Sequence, residues 1–322
     1  MKTIRTAIVG GAGYTGGELI RLLIHHPICE LVCIHSSSQK GKKISEVHSD
    51  LLGESDLVFS DNLPVEHLDA VFLCLPHGEA VTFLTSYSLA PSTVVIDLSH
   101  DFRDESQGFT YGLPEVNKEK IKASKKIANP GCFATAIQLA LAPAVQQAWI
   151  KENVHVTGIT GSTGAGKGLS ETTHFSYRSG NISVYKVFVH QHLKEIKRTF
   201  RQLQDKASPE ILFVPYRGNF TRGIWVTAYF PFTGTLSEAL AAYHNFYQDA
   251  AFTHISAQEI HLKQVINTNN CVLHLQQEAG QLIIHAVIDN LLKGASGQAV
   301  QNFNLAFGLD EGMGLKLKSS VY

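Results

Sequence analysis

Short apolar runs and helix-spaced apolar positions take turns along the first 130 residues. Residues 4–9 (Ile-Arg-Thr-Ala-Ile-Val) read as a strand, and in 18–24 Leu19, Ile20, Leu22, Leu23 and Ile24 recur at helical spacing. Pro27 ends that helix, and 30–35 forms the second strand. Residues 68–75 and 92–97 are further apolar runs rich in β-branched side chains, with a helix over 79–88 between them. Strand alternating with helix predicts a doubly wound parallel sheet of Rossmann type. A last strand, ending in Lys126-Ile127-Ala128, meets Asn129-Pro130-Gly131, and an apolar helix leaves over 136–141.

The pattern then changes. Strands are expected at 154–160, 211–214, 223–230, 271–275 and 282–288, with helices at 192–205 and 237–249. Alternation in Cys271-Val272-Leu273-His274-Leu275 fits a mixed or antiparallel sheet with one buried face. A final helix over 292–307 should return to the first domain. The layout is therefore α/β, with a nucleotide-binding domain of 1–131 and 290–322, and an α+β catalytic and oligomerisation domain of 132–289.

Composition narrows the class. With 322 residues, 44% hydrophobic and 17% charged, the chain is long enough for about two domains. A net charge of -1 argues against a polyanion-binding surface, so nucleic acid is not expected as a partner. No apolar run approaches a membrane span, and the N-terminal strand lacks the features of a signal peptide. Cys29, Cys33, Cys74, Cys132 and Cys271 are odd in number and without metal-ligand spacing, which suits a reducing cytoplasm and no metal.

Two glycine-rich stretches carry chemistry. Gly11, Gly13 and Gly16 satisfy G-x-G-x-x-G between a strand and a helix, the arrangement that brings backbone N–H groups, including those of Tyr14 and Thr15, to a pyrophosphate. No acidic residue ends the second strand to meet a free ribose hydroxyl. Ser36, Ser38 and Lys40 stand there instead, suited to a 2′-phosphate, so NADP is expected over NAD. Pro76, in Leu75-Pro76-His77-Gly78, ends a strand on the side where the nicotinamide would lie. The second stretch, Gly161 to Gly168, approaches a nucleoside-triphosphate loop but has Gly168 where the Mg²⁺-binding hydroxyl is required.

Asn129-Pro130-Gly131-Cys132 is the most pointed stretch. Pro130 biases Asn129 away from helical geometry and Gly131 eases the turn, leaving Cys132 at a helix N-terminus, where a thiolate is favoured. Such a thiol is a nucleophile in waiting; a small buried residue is the alternative.

Several segments together resemble one family. Residues 96–103 (Ile-Asp-Leu-Ser-His-Asp-Phe-Arg), 111–115 (Tyr-Gly-Leu-Pro-Glu), the Cys132 turn and 289–302 are similar to N-acetyl-gamma-glutamyl-phosphate reductases, relatives of aspartate-semialdehyde dehydrogenase. The resemblance implies NADPH-dependent reduction of an acyl phosphate to an aldehyde in arginine biosynthesis, through a thioester on Cys132. It also implies a cofactor contact at Asn290, and a homodimer or homotetramer. His190-Gln191-His192-Leu193-Lys194-Glu195 matches the family's two-histidine segment, with Gln191 and Lys194 in place of Arg and Pro. His192, three residues before Glu195, is favoured as acid/base with Glu195 orienting it; His190 stays as the alternative base or a substrate contact. In the same reading Ser162 and Lys167 line the substrate pocket, and Arg103, then Arg222, are candidates for its anionic groups. Residues 213–224 depart from the family's Pro-His-Leu pattern. An aspartate-semialdehyde-type dehydrogenase and a non-catalytic nucleotide-binding regulator are the competing readings.

Overall fold

β1 (Ile4–Val9), α1 (Tyr14–Leu23), β2 (Cys29–His35), α2 (Ile44–Val47), β3 (Phe59–Ser60), β4 (Ala70–Leu73), α3 (Glu79–Ser86), β5 (Val94–Asp97), β6 (Thr110–Tyr111), α4 (Pro114–Lys122) and β7 (Lys126–Ala128) follow one another in the computed structural model, which describes residues 3–204 and 209–321. The seven strands join in the order β3-β2-β1-β4-β5-β7-β6, every pair parallel. The centre of this sheet is apolar because a parallel sheet carries helices on its faces. Val9, Val71, Leu73 and Val95 pack there with Phe83, Phe102 and Phe109.

The second sheet is mixed, as the change of pattern predicts. α5 (Cys132–Gln146), β8 (Val154–Thr160), α6 (Phe175–Arg178), β9 (Ser183–Val184), α7 (Leu193–Leu203), β10 (Ile211–Arg217), β11 (Ile224–Pro231), α8 (Leu236–Phe246), β12 (Thr253–Ile255), β13 (Cys271–Glu278) and β14 (Gln281–Ile288) build it. Its order is β12-β13-β14-β11-β8-β10-β9, with β8 and β10 parallel and β8, β11, β14 and β13 antiparallel neighbours. α5 is apolar on every side because it is buried on every side: Phe133 to Val145 are all buried. Pro143 cannot donate to the carbonyl of Leu139, and the Tyr247 hydroxyl donates to it instead. The chain closes with α9 (Ser296–Ala306), packed on α1 and α4. Two compact units result, Met1–Pro130 with Ala295–Lys316, and Gly131–Gly294 with Leu317–Tyr322.

Helix bounds depart from the pattern where loop chemistry intervenes. α1 begins at Tyr14, inside the glycine loop, and not at Glu18, because extended Gly13 serves as its N-cap. α9 begins at Ser296 and not at 292: Asp289 Oδ1 accepts the N–H groups of Leu291 and Leu292, and Ala295 is not helical. α5 starts at Cys132 itself, as the Asn129-Pro130-Gly131 turn predicts, and runs past the apolar 136–141 stretch to Gln146. The helix expected over 192–205 ends at Leu203, and Asp205 lies outside the described residues. Among the described residues no helix is long and apolar enough to cross a membrane.

Candidate active site

Cys132 is the first residue of α5, after Gly131, an N-cap without a side-chain hydrogen bond. The thiol carbon is therefore set at the positive end of a fifteen-residue helix. Behind it the chain allows no side chain: a Cβ on Gly294 would lie 2.8 Å from Cys132 Cβ and 2.6 Å from the Asn290 carbonyl oxygen. Glu195, on the first turn of α7, reaches the same place, and its Oε2 accepts the Gly131 N–H at 3.1 Å. Its other oxygen, Oε1, lies 3.9 Å from His192 Nε2. One carboxylate thus touches the cysteine turn and faces a histidine.

His190 and His192 stand together, ring centroids 4.6 Å apart, but in different surroundings. His190 is enclosed by the edges and faces of Phe133, Phe213 and Tyr185. Burial, reinforced by the charge of Lys186, pushes it down to about 4. Its Nδ1 accepts the His192 N–H at 3.2 Å, so the neutral ring carries its proton on Nε2. This histidine is held neutral and fixed.

The two arginines expected at the substrate are engaged elsewhere in part. Arg103 is buried, with Nε on the Asn129 carbonyl at 2.9 Å and Nη2 on that of Leu98 at 3.1 Å, so it braces the turn before Cys132. Arg222 Nε lies 3.0 Å from Asp289 Oδ2. Asn290 is a clasp: Oδ1 accepts the Gly223 N–H at 2.7 Å and Nδ2 donates to Thr163 Oγ1 at 3.0 Å, so both ends of its amide are used within the second unit. It thereby fixes the loop that carries half-buried Ser162 and exposed Lys167. The loop's backbone is tied down as well, Gly161 and Ser162 donating to the carbonyls of Gly223 and Phe220.

At the carboxyl edge of the first sheet the glycines divide their tasks. Gly10, unremarked in the G-x-G-x-x-G frame, has φ +80, and a Cβ there would lie 2.5 Å from the Cys74 carbonyl oxygen. A Cβ on Gly16 would meet the backbone of Gly11 at 2.6 Å, which is the close helix–strand approach. A Cβ on Gly13 would meet only the Gly10 oxygen, at 3.9 Å, so the space above it is open. Tyr14 and Thr15 begin α1 with no side chain capping them. His48 holds the loop from behind, its Nε2 2.8 Å from the Gly11 carbonyl oxygen; no local signal marks that residue. At the end of β2 the Ser36 and Ser38 hydroxyls lie 3.4 Å apart, and Lys40 pairs with Asp61 at 2.7 Å. An open glycine loop, an uncapped helix start and hydroxyls in place of a carboxylate fit a phosphorylated dinucleotide. Pro76 is exposed after β4, and the next residue, His77, stacks on His100 at 3.9 Å. Asp101 caps α3 from there through the N–H groups of Gly78 and Ala80.

The structure thus gathers Cys132, His190, His192 and Glu195 in the second unit, and Gly11, Gly13, Tyr14, Thr15, Gly16, Ser36, Ser38 and Lys40 in the first. Residues 5–124 match a family described as the semialdehyde dehydrogenase NAD binding domain, and residues 132–290 one described as the semialdehyde dehydrogenase dimerisation domain. A protein of Christiangramia forsetii named N-acetyl-gamma-glutamyl-phosphate reductase is 52% identical over 99% of this chain and all of its own length. One of the same name from Bacteroides fragilis is 50% identical over the same shares. Among solved structures, aspartate semialdehyde dehydrogenase II of Vibrio cholerae complexed with ASA aligns over 96% of this chain and 99% of its own, with a TM-score of 0.76 and 16% identity, a likeness of fold. Candida albicans aspartate semialdehyde dehydrogenase with NADP aligns over 95% of this chain and 99% of its own, at 0.71 and 14%. Identity near one half along the entire length means that the chain belongs to the N-acetyl-gamma-glutamyl-phosphate reductase family of semialdehyde dehydrogenases.

Proposed function

We propose that this chain reduces N-acetyl-gamma-glutamyl phosphate to N-acetylglutamate 5-semialdehyde and phosphate with NADPH, in arginine biosynthesis in the cytoplasm. The observation that carries the reading is the position of Cys132 at the first turn of α5, with Glu195 bound to the same turn and facing His192. Cys132 Sγ attacks the acyl carbon and the phosphate leaves, so one difficult step becomes two through a thioester. His192 carries the proton: it takes it from the thiol, returns it to the oxyanion of the thiohemiacetal once the thioester is reduced, and withdraws it again as the C–S bond breaks to free the aldehyde and the Cys132 thiolate. Glu195 faces that ring with Oε1 at 3.9 Å, where it favours the protonated imidazole, while Oε2 accepts the Gly131 N–H. His190, held neutral by burial, accepts the backbone N–H of His192 and so fixes the main chain that carries that ring. The cofactor's phosphates are received by the backbone of Gly11 to Gly16, with Tyr14 and Thr15 at the helix start, and its 2′-phosphate by Ser36, Ser38 and Lys40; Pro76 borders its nicotinamide. When bound, NADPH supplies the hydride. Asn290 serves the site by holding the 161–167 loop, where Ser162 and Lys167 meet the substrate.

Self-association is part of the proposal. The chain carries a region matching a dimerisation domain, and we assign it a homodimer formed through the second sheet.

The deciding experiment runs the reaction backwards. N-acetylglutamate semialdehyde, phosphate and NADP⁺ should yield NADPH, and Cys132→Ser should abolish the signal. Full turnover by that variant would remove the thioester, and much faster use of aspartate semialdehyde would replace the substrate. NADPH bound without turnover of either aldehyde would leave a regulator.

A further inference from the structure

Against the Tyr185 ring the second unit holds a cation that neither the two-histidine segment nor the glycine loop accounts for. Arg217 ends β10, paired with Thr160 of β8 on one side and Ser183 of β9 on the other. Its backbone is fixed: the carbonyl accepts from Arg178 Nη1 at 2.7 Å, and the next N–H, of Gly218, goes to the Thr160 carbonyl at 2.8 Å. Its guanidinium carbon lies 5.0 Å from the centroid of the Tyr185 ring, within cation–π reach. Beyond Tyr185 the side chain finds little. Nη1 is 3.4 Å from Thr172 Oγ1, and buried Nε has no hydrogen-bond partner among the described residues.

Tyr185 ties this guanidinium to the nucleophile. Its ring packs against His190, with centroids 5.8 Å apart, and His190 in turn touches His192. Burial, and after it the neighbouring Cys132, push the phenol up, while the charge and hydrogen bonding of Arg217 pull it back. A cation, a phenol and the reactive thiol therefore share one neighbourhood. The other two arginines considered have Nε bound to a carbonyl and to a carboxylate respectively, whereas the Nε of Arg217 is buried and unmatched.

We propose that Arg217, oriented by Tyr185, is the contact for an anionic group of the substrate held at Cys132, either the departing phosphate or the α-carboxylate. This rests on the acyl-phosphate reading of the site. A planar guanidinium matches either group with two parallel N–H donors, and a lysine would supply the charge without the fork. Tyr185 is a positioning residue that keeps the fork aimed.

Two measurements test it. Cys132 alkylation, followed by peptide mass spectrometry, is timed with iodoacetate, an anion, and with iodoacetamide, its neutral analogue. In Arg217→Gln the iodoacetate-to-iodoacetamide rate ratio should fall about tenfold, by loss of the charge that attracts the anion, and Arg217→Lys should restore most of it. An unchanged ratio in Arg217→Gln overturns the proposal, and this readout needs no turnover. In the reverse reaction Arg217→Gln should raise one KM by about ten- to a hundredfold, and Tyr185→Phe should raise the same one less. A rise confined to phosphate assigns the leaving-group oxygens, and one confined to the aldehyde assigns the α-carboxylate. Wild-type turnover with both KM values unmoved in Arg217→Gln also overturns it. A wild-type enzyme inactive on this aldehyde refutes the proposed substrate and leaves the alkylation ratio to decide Arg217.

Discussion

Single residues around Cys132 are placed by contacts that each make a distinct demand. His190 is depressed from 6.5 to about 4 by burial, so the folded protein binds its proton less readily than the unfolded chain does. The sign follows: its contribution is complete above pH 6.5 and is lost as pH falls from 6.5 towards 4. A shift of that size, between 6.5 and about 4, corresponds to about 3 kcal/mol. Denaturant titrations between pH 7 and 4 should therefore show a shallower loss of stability in His190→Gln than in the wild type; parallel curves would mean His190 is not the group responsible. His192→Asn should keep its fold and lower kcat by about 10²–10⁴-fold, the usual share of a general acid–base. Gly294 makes a steric demand, since an added methyl would lie 2.8 Å from Cys132 Cβ and against the Asn290 backbone. Gly294→Ala should cost about 1–3 kcal/mol by overpacking and slow alkylation of Cys132, both measurable without substrate.

Elements show how much of the fold is legible in the sequence. Strand and helix alternation up to residue 128 produced the parallel sheet, because apolar runs bounded by turns leave few alternatives. The Cys132 turn was equally readable: proline and glycine act locally, and the helix begins where they release it. Long-range partners were not readable. The charge of Arg103 points to the substrate, yet its Nε meets the Asn129 carbonyl, 26 residues away. The amide of Asn290 spans Gly223 and Thr163, 67 and 127 residues distant, contacts that the resemblance does not announce. No window of sequence contains both halves of such a bond. The glycine loop separates the two kinds of information, and Gly13 and Gly16 test them. Gly13→Ala places a methyl in open space, so thermal stability should stay close to wild type while NADPH affinity drops; Gly16→Ala strikes the Gly11 backbone and should lower stability. Equal melting temperatures for the two variants would contradict this division, and fluorescence titration of NADPH supplies the affinities.

At the scale of the whole molecule, the second sheet presents two unlike faces. Val154, Val156, Val226, Ala228, Phe230, Leu273, Ile284 and Ala286 are buried on the side of α5 and α8. Period-two alternation sends His155, Thr157, Tyr229, His274 and His285 the other way, where they stay exposed or half-buried. Alternation in 271–275 announced one buried face; it said nothing of what covers the other. Across that outer face the rings of His155 and Tyr229 stack at 5.1 Å, and those of His274 and His285 lie nearly parallel, 6.3 Å apart. These flat, mixed apolar and polar groups suit a protein interface, where aromatic side chains are enriched and about 800 Å² per partner is the usual requirement. Two copies joined there would bury Tyr229 opposite a second sheet. An aspartate in its place would then be a desolvated charge without a counter-ion, costing several kcal/mol on association but little in the isolated chain, where the position is 38% exposed. Tyr229→Asp should consequently sediment as a monomer at micromolar concentration, with a wild-type circular dichroism spectrum, while the wild type sediments as a dimer. A variant that remains dimeric would move the interface off this face.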